Sequence, residues 1–93
     1  MDLTELDKAI IYSIYIKGNR SKKAHFPVEA ICKWFKKHLR GYVKRRVEKL
    51  VSKGYLYSKP HPSGHSYGLT DLGWKTAMKL EEEVLKREKK RKG

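Results

Sequence analysis

The residues of this chain that can do chemistry are mostly cations, and they are bunched. Lys36, Lys37, His38, Arg40, Lys44, Arg45, Arg46 and Lys49 stand within fourteen positions, with Tyr42 among them. A guanidinium is a planar fork that donates two hydrogen bonds to a phosphate or to the O6/N7 edge of guanine, whereas an ammonium acts as a hydrated point charge. A second group, Lys59, His61, Ser63 and His65, surrounds Pro60, Pro62 and Gly64. Bases and imidazoles on such a tip suit a phosphate backbone or a narrow, electronegative groove. Two histidines with no cysteine or carboxylate nearby in sequence do not make a metal centre, so neither metal nor cofactor is expected. The lone thiol, Cys32, has no His and acid at activating spacing and reads as a small packed residue.

The charge is placed, not spread. Of 93 residues, 23 are Lys or Arg and 10 Asp or Glu, a net +13. Residues 17–60 hold fourteen bases and two acids, a net +12, while residues 1–16 are net negative. Folding alone gives no reason to concentrate repulsion in this way, and an anionic polymer does. A chain this short buries only about 60% of its unfolded surface, too little for a deep multi-part active site, so no enzyme is expected. One cysteine excludes an internal disulfide. The longest apolar run, around Ile10 to Ile16, is too short to span a bilayer. The acidic start is unlike a signal peptide. A cytoplasmic, nucleoid-associated protein is the expectation.

These residues need elements to hold them. Thr4 with Glu5 and Asp7 predicts a helix start, and Leu6, Ile10 and Ile14 give its apolar stripe, with Tyr12, Tyr15 and Ile16 widening it. Gly18-Asn19 ends that helix, and 17–25 reads as a basic loop. Pro27 suits the first turn of a short second helix carrying Val28, Ile31 and Phe35. From Gly41, Val43, Val47, Leu50 and Val51 predict a third helix ending at Gly54. The period then changes to two: 55–59 and 66–69 pair as a β-hairpin around the Pro- and Gly-rich tip. Thr70 caps a last helix over about 71–89, with Leu72, Thr76, Ala77, Leu80 and Val84 inward and a basic tail at 90–93. One domain over residues 1–93 is expected.

The stretch Gly41-Tyr-Val-Lys-Arg-Arg-Val-Glu-Lys-Leu-Val-Ser-Lys-Gly54-Tyr-Leu-Tyr, followed by Tyr67-Gly-Leu-Thr-Asp-Leu-Gly73, resembles the recognition helix, strand and wing exit of winged helix-turn-helix regulators. The resemblance covers about residues 4–85, and the small size and Lys/Tyr/Ile content resemble archaeal and archaeal-virus members. It implies a mainly α fold with a small β-hairpin, in the order α-α-α-β-β-α. Family members place Ser or Thr before their second and third helices, where this chain has Phe26 and Leu39 or Arg40. The resemblance implies a double-stranded DNA-binding transcriptional regulator with the helix 41–53 in the major groove. Arg40, Tyr42, Lys44, Arg45, Arg46 and Lys49 would contact DNA from that helix. Lys36, Lys37 and His38 would do so from the turn, and Lys59, His61, Ser63 and His65 from the wing. Arg45 is the first candidate for reading a base. Trp74, Met78 and Leu85 form a second line on the last helix, expected to join two copies in a homodimer. No membrane or small-molecule partner is expected. The competing expectations are an architectural, sequence-indifferent DNA binder and an RNA- or ribosome-associated winged helix.

Overall fold

Helix α1 (Glu5–Lys17) begins at a reciprocal capping box. The Thr4 hydroxyl accepts from the Asp7 N–H at 3.0 Å, and the Asp7 carboxylate accepts from the Thr4 N–H at 3.0 Å. The structure, a computed structural model, describes residues 3–62 and 64–92, with side chains as far as residue 88. Ser63 and the side chains of the basic tail therefore lie outside the described residues. At Gly18 the helix ends against Ala24, whose Cβ would stand 2.6 Å from any Cβ added to the glycine. Asn19 and Arg20 then turn the chain in the left-handed region, at φ 57° and 63°.

Residues 17–25, expected to be loop throughout, end in a strand. His25–Pro27 form β1, antiparallel to β3 (Gly64–Leu69), with Phe26 opposite Tyr67. On its other side β3 pairs with β2 (Leu56–His61), so the expected hairpin is the larger part of a three-stranded sheet in the order β1-β3-β2. Between β1 and β2 come α2 (Val28–Lys33), a single 3-10 turn at Lys37–Leu39, and α3 (Arg40–Ser52). Pro27 lies just before the first turn of α2 rather than inside it, and α3 takes in both Arg40 and Gly41. Neither Pro27 nor Leu39 offers a side chain to cap its helix. The last helix, α4 (Asp71–Lys92), runs past the end expected near 89. Thr70 caps it, its hydroxyl accepting from the Gly73 N–H at 3.1 Å and donating to the Gly54 carbonyl at 2.6 Å.

The core is where the helical periodicities predict it on α1 and α3. Ile10, Ile11 and Ile14 meet Val43, Val47 and Leu50, with Ile31, Leu56, Leu69 and Ala77 closing the cluster. Ile16 is the exception on α1, being exposed. Of the expected stripe of α4, Ala77 is buried and Thr76 and Leu80 are half-buried, but Leu72 and Val84 are exposed, and the inward face is turned toward Gly73 and Trp74. Gly73 sets this rotation. It lies against the Tyr55 carbonyl, where no side chain fits, and so carries its own face of the helix into the core. The fold is mainly helical with a small antiparallel sheet. Among the described residues no helix is long and apolar enough to cross a membrane.

Candidate nucleic-acid interface

Helix α3 divides cleanly into two sides. Val43, Val47 and Leu50 are wholly buried, as a 3.6-residue period requires, and this turns Arg45, Glu48, Lys49 and Ser52 to solvent. Arg40, Tyr42 and Lys44 flank that arc and are exposed as well. The Arg45 guanidinium lies 5.1 Å from the centroid of the Tyr42 ring, one turn earlier on the same helix. Such stacking holds a guanidinium by its face and leaves its N–H edge free to donate. Tyr42 is 57% exposed, so this pair stands outside the core.

Lys36, Lys37 and His38 precede α3 on the outer surface, at and within the 3-10 turn that leads into it. On the hairpin, Lys59, His61 and His65 are exposed, and the Ser58 hydroxyl and His65 Nδ1 lie 3.2 Å apart. A groove between α3 and the hairpin is lined by Glu48, Val51, Ser58, His65 and Tyr67. Burial raises the Tyr67 phenol, and the carboxylates of Glu48 and Glu29 add to that effect, so the hydroxyl stays neutral.

One candidate is displaced from the set. Arg46 points back across the fold to Asp7, which is wholly buried, donating from Nε to Oδ1 at 2.7 Å and from a terminal nitrogen to Oδ2 at 2.8 Å. A bidentate pair of this kind occupies the guanidinium fork, so Arg46 ties α1 to α3 instead of facing outward with Arg45. Burial alone would raise the Asp7 carboxyl, but the hydrogen bonds from Arg46 and Thr4 and the Arg46 charge outweigh it and hold the group below its ordinary value. The signal was present in sequence. Asp7 falls on the Ile10/Ile14 stripe, three and seven residues before them, and an inward acid requires a cation.

Two more cations of the basic block serve the fold. Arg20 pairs with Glu81, which also accepts from the Tyr15 hydroxyl at 2.9 Å. The Arg20 carbonyl accepts from the Trp74 indole at 3.0 Å. Lys22 reaches Asp71 at 3.1 Å and lies over the Trp74 ring. Trp74 is thus half-buried, edge-on to Tyr15 with centroids 6.5 Å apart, and of the second line on α4 it is Met78 and Leu85 that are exposed. Cys32 is half-buried, 3.6 Å from the Arg40 carbonyl, and burial pushes its thiol up, away from the thiolate.

The candidate surface thus comprises the outer arc of α3, the turn before it and the exposed hairpin. No model of a known protein family matches the chain, and no curated protein matches it.

Proposed function

We propose that this chain is a winged helix-turn-helix protein that binds double-stranded DNA, with α3 in the major groove and the β2–β3 hairpin against the backbone or minor groove, and that it serves as a transcriptional regulator. The observation that carries the reading is the two-sidedness of α3: one side sealed in the core, the other cationic and bare, with Arg45 and Lys49 uncovered. A helix of this diameter enters the major groove, where base edges carry a distinct pattern of donors and acceptors. The element order and the placing of the hairpin next to α3 support the same reading. So does the density of cations on the turn, which suits phosphates flanking the groove. Met78 and Leu85 on α4 supply the surface through which a second copy would join, giving two copies of α3 on one duplex.

The experiment is a fluorescence-anisotropy titration of labelled random-sequence duplex DNA over a range of salt, followed by selection of bound fragments from the same pool. Log affinity should fall linearly with log salt, at a slope of about −0.9 per phosphate neutralised. The selected fragments should share a motif, and a duplex carrying it should be bound more tightly than RNA hairpins of equal length. A flat salt response, or preference for the RNA, would overturn the proposal. Tight binding with no shared motif would leave DNA binding in place and replace regulation by an architectural role.

A further inference from the structure

Glu48 is out of keeping with the surface it occupies. It is the only acid of α3, it stands on the solvent arc between Arg45 and Ser52, and its carboxylate makes no hydrogen bond or ion pair with any described residue. Lys44, one turn earlier, does not close on it. Across the groove to the hairpin, Glu48 shares the lining with His65, which is engaged with Ser58, and with Tyr67. A carboxylate here repels phosphate, so on a face that did nothing but clamp a backbone it would only weaken binding. It gains a favourable contact only from a donor.

The major groove offers two amino donors, cytosine N4 and adenine N6. Adenine presents its N7 lone pair beside N6, which suits an amide that both donates and accepts. A carboxylate, which only accepts, meets repulsion there and none of that kind at cytosine. Arg45, three residues earlier, has its guanidinium held over Tyr42 and a fork that fits the two acceptors of guanine. Residues so spaced are offset about 4.5 Å along a helix axis, against about 3.4 Å per base step. The acceptor and the fork therefore fall between one and two steps apart.

The geometry points to Glu48 as a specificity-determining residue: with Arg45 it reads a guanine and a cytosine one or two base steps apart, Arg45 donating to guanine O6 and N7 and Glu48 accepting from cytosine N4. This rests on the DNA-binding reading and narrows the partner to duplexes carrying a G·C-containing step at that place.

The test is selection from random duplex DNA by the wild type, Glu48→Gln and Glu48→Ala, with affinities then measured on the selected duplex and on single-pair changes to it. Because Glu48 is exposed, the variants should fold as the wild type does, which circular dichroism checks. The wild type should require G and C at positions one or two steps apart. Glu48→Ala should lose about tenfold in discrimination at the cytosine and keep the guanine preference. Glu48→Gln should move the preference at that position from cytosine toward adenine, since an amide pairs with adenine N6 and N7. If the wild type selects sites without a guanine and a cytosine within two steps of each other, or if Glu48→Ala tightens every duplex alike with their ranking unchanged, the assignment is wrong while DNA binding stands. If the wild type binds no duplex even at low salt, the DNA-binding reading fails with it.

Discussion

Asp7 and Arg46 show how a charge on a basic helix can belong to the interior. Asp7 is sealed from solvent and satisfied by Arg46 and the Thr4 N–H, so removing its charge leaves the guanidinium without its acceptor and weakens the cap of α1. Asp7→Ala should cost roughly 2–3 kcal/mol of stability, read from urea unfolding. The pH dependence follows from the direction of the shift. The folded carboxyl lies below its ordinary value of 3.8, so its contribution is complete above that value and is lost as pH falls through the lower, folded one. Thermal unfolding of the wild type should therefore drop below about pH 4, and Asp7→Asn should flatten that part of the curve. Glu81, held down by hydrogen bonds from Arg20 and Tyr15, adds to the same acid limb, so the flattening will be partial. Outward cations behave differently. Arg45→Ala should reduce discrimination between DNA sequences, and Lys37→Ala should weaken all duplexes alike and lower the salt slope by about one phosphate's worth. Uniform loss in both, measured on the selected and a scrambled duplex, would place Arg45 on the backbone as well.

The elements differ in how far sequence alone disclosed them, and two glycines expose the reason. Gly41 lies in the first turn of α3 with nothing within 4 Å of an added Cβ, and its φ is not positive. Gly41→Ala should stabilise the fold by about 0.5–1 kcal/mol through backbone entropy alone. Gly73 also sits in a helix, yet an added Cβ would strike the Tyr55 carbonyl, which is backbone and cannot swing away, so Gly73→Ala should destabilise despite its better helix propensity. Denaturation midpoints of the two variants should move in opposite directions. Helix α3 was legible because Val43, Val47 and Leu50 repeat at 3.6 residues, and the hairpin because alternation and turn residues are local. Strand β1 was not: His25-Phe26-Pro27 carries no alternation of its own and is a strand because β3 pairs with it from forty residues away. On α4 the middle of the stripe, Thr76, Ala77 and Leu80, follows the pattern, but Leu72 and Val84 do not, because a close approach of backbones at Gly73, which no pattern of side chains records, fixes the helix's rotation. For the candidate site, the outer arc of α3 followed from the inner one, whereas the withdrawal of Arg46 depended on a contact with α1, thirty-nine residues away.

At the scale of the whole molecule, Arg20, Lys22 and Arg46 are matched by Glu81, Asp71 and Asp7, so the net charge of +13 is carried by other cations. Helix α3, the turn before it and the hairpin carry part of that charge, and a single copy offers one such surface. One helix reads only a few base pairs, so sequence choice of the kind a regulator needs is better served by two copies bound to one duplex. Leu85, 53% exposed, and Met78, 37% exposed, sit on a flank of α4 with Glu82 before Leu85 and Lys86 and Arg87 after it. An antiparallel second α4 would bring apolar residues together and set the acids of one copy against the bases of the other, a match that a parallel pairing lacks. Sedimentation at tens of micromolar should therefore give twice the chain mass for the wild type and the single mass for Leu85→Glu, with identical far-ultraviolet circular dichroism. The variant should bind a duplex with one copy of the selected motif as the wild type does, and lose affinity only on a duplex with two copies about 34–36 Å apart. A wild type that sediments as a monomer and protects a single motif would remove the second copy and leave α3 to work alone.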